Sequence, residues 1–113
     1  MISFLISALL AASPHEHLRP HDVAAVTLYQ HCDYQGWAAP LRGGEYTSEL
    51  LKDVASYRSK GTSSIRVSPG YKATLYARNK FKGKSLVVTH HNPCLVSEGF
   101  NDRMVSIKIE RLK

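Results

Sequence analysis

An all-β domain, built as a two-motif Greek-key β-sandwich, is the fold class predicted by three observations. The stretch Val26-Thr27-Leu28-Tyr29 returns as Ala73-Thr74-Leu75-Tyr76. In each copy an aromatic residue then stands two positions ahead of a glycine, Tyr34 before Gly36 and Phe81 before Gly83. Each copy later reaches a second related strand, Ser64-Ile65-Arg66-Val67 in the first and Ser106-Ile107-Lys108-Ile109 in the second. A repeat of this length marks two copies of one supersecondary unit, neither able to bury its apolar face alone.

The elements follow in order. Residues 26–29 alternate Val and Leu against Thr and Tyr, which suits a half-buried strand. Asp33 and Gly36 are turn formers, and residues 37–41 read as the return strand. Gly43-Gly44-Glu45-Tyr46 reads as a bend, and residues 48–54 suit about one helical turn. Residues 63–67 form the next strand, ended by the turn and linker Ser68-Pro69-Gly70-Tyr71. The second copy repeats this order, with strands at 73–76, 83–89 and 105–110 and a loop through His91-Asn92-Pro93. Four strands per unit, twice, give the Greek-key sandwich, with motif 1 at about 26–68 and motif 2 at about 73–113.

Composition bounds the function. A chain of 113 residues, 43% apolar and 21% charged, fits one globular domain. No apolar run reaches the roughly 18 residues that a membrane span needs. The net charge of +6 allows weak attraction to phosphates, but only residues 78–84 are densely basic, and they read as a solvated hairpin tip. Neither a nucleic-acid partner nor a specific small-molecule substrate is expected. The chain is expected to be a monomer or weak dimer.

Residues 1–25 differ in kind. Residues 2–12 are an apolar run resembling the core of a secretory signal, although no basic residue precedes it. Small residues at Val23-Ala24-Ala25 suit a cleavage that leaves Val26 at the domain start. A signal or propeptide and an extracellular location are expected; the alternative is a tail on a cytoplasmic protein. This segment carries His15, His17 and His21, a pattern also common by chance in tails. Adjacent His90 and His91 on a strand would face opposite sides, so they make a poor chelate and read as strand-end residues.

Cys32 and Cys94 are too few and too far apart for a zinc knuckle. In an oxidising compartment one bridge is available, closing a loop of about 60 residues worth roughly 4 kcal/mol. Free buried thiols or intermolecular pairing are the alternatives. No nucleophile triad, paired-carboxylate motif or phosphate-binding glycine loop stands out, so an enzyme is not expected. Trp37, Tyr46, Tyr57, Tyr71 and Phe100 read as core or hairpin packing.

The sequence resembles a βγ-crystallin domain. The residues that carry the resemblance are Tyr29 with Tyr34 and Gly36, Tyr76 with Phe81 and Gly83, the Ser64 and Ser106 strands, and Arg42-Gly43-Gly44-Glu45-Tyr46. It covers residues 26–113 and implies that each first hairpin folds back over its sheet, held by a hydrogen bond from Ser64 or Ser106. It also implies calcium chemistry. Family members bind Ca²⁺ in a double clamp, through loops that read as two Asn/Asp, two free positions, Ser/Thr and Ser. Ca²⁺ takes six to eight hard oxygens, which short loops supply as carbonyls, carboxylates and hydroxyls. Here the loops are Ser59-Lys60-Gly61-Thr62-Ser63-Ser64 and Asn101-Asp102-Arg103-Met104-Val105-Ser106. The first has lost its acidic pair, and the second carries Val105 in place of a hydroxyl. If the clamp joins the acid of one loop to the hydroxyl of the other, Asp102, Asn101 and Ser63 make one site. Lys60 and Val105 then fall at the abolished second site. Backbone carbonyls of Gln30 and His31, or of Ala77 and Arg78, are the expected complements. At most one Ca²⁺ is expected, at about 10⁻⁴ to 10⁻³ M. A secreted protease inhibitor or toxin-like protein, or a metal-free structural protein, are the alternatives on this fold.

Overall fold

The computed structural model describes residues 24–55 and 61–112. Among these residues seven strands form two antiparallel sheets. Strands β1 (Val26–His31), β2 (Gln35–Leu41) and β4 (Ser64–Val67) make the first, in the order β2-β1-β4. Strands β3 (Gly44–Tyr46), β5 (Tyr71–Arg78), β6 (Lys82–Val88) and β7 (Ser106–Arg111) make the second, in the order β3-β7-β5-β6. The third strand of motif 1 therefore crosses to the sheet of motif 2 and pairs with β7, Tyr46 opposite Ile107. That crossing is the Greek-key connection.

Alternation places the core. Val26 and Leu28 of β1, Ile65 and Val67 of β4, Ala73 and Leu75 of β5, and Ile107 and Ile109 of β7 all point inward and are buried. Tyr46, Leu51, Leu95, Phe100 and Met104 fill the space between the sheets. Trp37 and Tyr71 pack against this core and are partly buried. The buried Tyr46 hydroxyl donates to the Arg42 carbonyl at 2.9 Å, and burial pushes its phenol pKa up.

Three expectations require correction. Residues 43–46 are not simply a bend, because β3 occupies three of them. The helix is longer than one turn: α1 spans Ser48–Ala55, with the Thr47 Oγ1 accepting the Leu50 N–H at 3.3 Å as an N-cap. The eighth strand is not formed; it is reduced to a single bridge between Asn92 and Ile65. Pro93 follows immediately and has no N–H for a ladder, so pairing stops there. Ala24 and Ala25 already belong to the fold. The Ala25 N–H donates to the Leu41 carbonyl at 2.9 Å, and Ser68 Oγ donates to the Ala24 carbonyl at 2.6 Å. The expected leading segment up to residue 23, with its three histidines, lies outside the described residues, as do Tyr57, Ser59 and Lys60.

The two hairpins are near copies. Asp33 and Tyr34 in the first, and Lys80 and Phe81 in the second, all have φ between +56° and +60°. This left-handed pair folds each tip back over its sheet. Tyr34 then meets Tyr29 edge-on at 5.5 Å, and Phe81 meets Tyr76 at 5.8 Å. Gly36 is required by both conformation and space: φ is +83°, and a Cβ there would lie 2.6 Å from Gln30 Cβ. Gly83 repeats this, at φ +78° and 2.9 Å from Arg78 Cγ.

Ser64 and Ser106 lock these tips. Ser64 Oγ donates to the His31 carbonyl at 2.6 Å and accepts the Tyr34 N–H at 3.0 Å. Ser106 Oγ donates to the Arg78 carbonyl at 2.6 Å and accepts the Phe81 N–H at 3.0 Å. Both serines are fully buried, so each supplies two hydrogen bonds that water does not replace. Ser64→Ala should therefore cost about 1–3 kcal/mol, read as a lowered urea midpoint with an unchanged slope.

Asn79 ties the second hairpin to the helix. Its Oδ1 accepts the Ser48 N–H at 2.8 Å, and its Nδ2 donates to the Glu49 carboxylate at 3.2 Å. That hydrogen bond from Asn79 holds the exposed Glu49 carboxyl below its usual value.

Candidate metal site at the crossed loops

Two loops enter the Ser strands at corresponding places. The Ser63 N–H donates to the Tyr29 carbonyl of β1 at 2.9 Å, and the Val105 N–H donates to the Tyr76 carbonyl of β5 at 2.8 Å. Ser63 and Val105 are thus structural equivalents, as their positions in the repeat imply. Of the carbonyls expected to complement these sites, those of His31 and Arg78 already accept the Ser64 and Ser106 hydroxyls. Gln30 and His31 follow Tyr29 on the Ser63 side, while Ala77 and Arg78 follow Tyr76 on the Val105 side.

The loops cross. The Asp102 N–H donates to the Thr62 carbonyl at 3.1 Å, which carries the acid of the second loop to the first. Ser63 Oγ then donates to Asp102 Oδ1 at 3.3 Å, although the two residues lie 39 positions apart. Asp102 has φ +57°, a left-handed conformation that aspartate tolerates better than most residues. Its side chain is exposed, whereas Ser63 is only 6% exposed. Asn101 completes the group. Its Nδ2 donates to Asp102 Oδ2 at 3.2 Å, and its Oδ1 is a buried acceptor with no partner among the described residues.

This donor set suits a hard cation. A carboxylate and a hydroxyl meet, the Asn101 amide lies against the carboxylate through its Nδ2, and its buried Oδ1 without a hydrogen-bond donor is an orphan that a cation satisfies. Among the described residues no three His, Cys, Asp or Glu side chains cluster, so a nitrogen- or sulfur-rich centre is not assembled there. His90 and His91 have separate tasks. His91 Nδ1 accepts the Val67 N–H at 3.0 Å, and His90 Nδ1 lies 3.1 Å from Thr89 Oγ1.

Cys32 and Cys94 are joined as a disulfide, with a sulfur–sulfur distance of 2.04 Å. Its place beside the site was not legible in the sequence. The Ser63 carbonyl accepts the Leu95 N–H at 2.7 Å, so the residue next to Cys94 holds the residue next to Ser64. Neither periodicity nor spacing signals such a contact.

No family model matches the sequence, and no curated protein matches it significantly. Solved structures do match. A βγ-crystallin domain from Flavobacterium johnsoniae is 32% identical, with a TM-score of 0.73, and the match covers 77% of this chain and 94% of that one. The chain belongs to the βγ-crystallin family. The N-terminal domain of Protein S is 30% identical, with a TM-score of 0.73, over 78% of this chain and 97% of that one. A clostrillin double mutant in complex with nickel is 32% identical, with a TM-score of 0.71, over 75% and 95%. The paired hairpins, their glycines and their locking serines are thus the scaffold of a βγ-crystallin domain. Among the described residues no helix is long and apolar enough to cross a membrane.

Proposed function

We propose that this βγ-crystallin domain is a non-enzymatic module that binds one Ca²⁺ weakly at Asp102, Asn101 and Ser63. The observation that carries the reading is the hydrogen bond from Ser63 Oγ to Asp102 Oδ1 across the crossed loops. It puts the surviving acid of one motif against the surviving hydroxyl of the other. The Asp102 carboxylate, Ser63 Oγ and the orphan Asn101 Oδ1 would hold the ion, with the carbonyls of Gln30 and His31, which follow Tyr29 in the chain, as its complements. The ion would supply positive charge that fixes the two loops together, and so the two motifs. At the equivalent position Val105 offers a methyl group where a hydroxyl is needed, and the second site is lost. With a single carboxylate, the dissociation constant falls at about 10⁻⁴ to 10⁻³ M. The disulfide supports an oxidising, extracellular location.

Because the ion would bind only the folded loops, it stabilises the domain by mass action. At ten times the dissociation constant the gain is about 1.4 kcal/mol. Thermal melting in Ca²⁺ against chelator should show this gain in the wild type and lose it in Asp102→Ala. An equal Ca²⁺ response in that variant would refute the assignment.

A further inference from the structure

Ser63 is held from several sides. Its N–H donates to the Tyr29 carbonyl, and its own carbonyl accepts the Leu95 N–H at 2.7 Å. The Cys32 sulfur touches that same carbonyl oxygen at 3.9 Å. Across the gap, the Asp33 N–H donates to the Pro93 carbonyl at 2.7 Å. Residues 92–95, which stand where an eighth strand would run, are therefore fastened to motif 1 by the Asn92–Ile65 bridge, two flanking hydrogen bonds and one covalent bond. Of these links, only the covalent one answers to redox potential. Both cysteines are half-buried, within reach of a small reductant.

We propose that the Cys32–Cys94 disulfide is a redox control on the Asp102–Ser63 cation site, so that its reduction lowers the affinity for Ca²⁺; this rests on the calcium reading above. A dithiol reductant suffices. One of its thiolates attacks a cystine sulfur, and a mixed disulfide forms as the other cysteine leaves. The second thiolate then closes the reductant's own disulfide. Two electrons and two protons end on the Cys32 and Cys94 thiols. Residues 93–95 then keep only the buried Leu95 side chain and their hydrogen bonds to motif 1, so the Leu95 N–H holds the Ser63 carbonyl less firmly and Ser63 Oγ is less tightly directed towards Asp102. Residues that orient a metal ligand from behind typically change affinity by about 10–100-fold when lost, so a decrease of at least about tenfold is expected.

The test is calorimetric titration of the full chain with Ca²⁺, oxidised, reduced and reoxidised, and with Cys32→Ser/Cys94→Ser. Amide hydrogen exchange is followed in the same samples at Leu95 and at the β1 core. The expected result is weaker binding by at least about tenfold without the disulfide, recovery on reoxidation, and exchange that accelerates more at Leu95 than at the β1 core. Equal affinity with and without the disulfide overturns the proposal and leaves the calcium site standing. No Ca²⁺ binding by the oxidised chain overturns both. Equal acceleration of exchange at Leu95 and at the β1 core on reduction also overturns it, because the disulfide then holds the whole fold rather than the site.

Discussion

Removing the disulfide in Cys32→Ala/Cys94→Ala should lower the unfolding free energy by about 4 kcal/mol. The bridge spans a sequence separation of 62, and in the chain-entropy model a loop of that length, once opened, returns about this much freedom to the unfolded chain. The native state adds to the loss. The segment that carries Cys94 replaces a strand, and few ladder bonds hold it in its absence. For a domain of this size each kcal/mol moves the melting temperature by about 4–8 °C, so a drop of 15 °C or more is expected. Urea unfolding of wild type and double variant, under oxidising and reducing conditions, checks this. The variant should be insensitive to reductant, and reduced wild type should match it. A stability difference below about 1 kcal/mol would show that residues 92–95 are held by packing instead.

Phe100→Ala should cost about 3–5 kcal/mol, the usual range for truncating a fully buried phenylalanine. Phe100 has no exposed surface and lies among the core side chains of both sheets. Its N–H donates to the Leu95 carbonyl at 3.0 Å, and its carbonyl accepts the Arg103 N–H at 3.2 Å, so the ring anchors the turn that presents Asn101 and Asp102. Truncation therefore leaves a cavity directly beneath the candidate site. Phe100→Leu keeps most of the volume and should cost well under half as much. Urea midpoints of the two variants separate the cases, and equal losses would show that the ring's shape rather than its volume matters.

The scaffold was legible because it repeats. Tyr29 with Tyr76, Gly36 with Gly83, and Ser64 with Ser106 each meet a demand that a neighbour imposes locally. A glycine is needed where φ is positive and a Cβ would collide, and a hydroxyl is needed where a buried tip leaves one donor and one acceptor. Comparison of the two loops also anticipated that Asp102 and Ser63 meet, because a two-fold repeat exchanges loops between its halves. What escaped the sequence is where the symmetry breaks. The missing eighth strand depends on Pro93 and on a disulfide partner distant in the chain, and neither alters the alternation of residues 83–89. The β3 strand was hidden by Gly43 and Gly44, which signal a turn, although pairing with β7 of the other motif, within one sheet, extends Gly44 through Tyr46. Tertiary pairing outweighed local propensity there. The capping of β4 by His91 Nδ1 carried no pattern at all.

The two loops occupy equivalent places in the repeat but carry different donors, and on the proposed reading that difference decides whether the crossing holds a cation. Asp102 supplies the acid, Ser63 the hydroxyl and Asn101 an unsatisfied oxygen, while Val105 removes the equivalent hydroxyl on the other side. Calorimetric titration of the oxidised full chain with Ca²⁺, beside Asp102→Ala, tests this most directly. The account predicts a single site with a dissociation constant of about 10⁻⁴ to 10⁻³ M in the wild type and none in the variant. Two tight sites, or the same heat from both proteins, would contradict it.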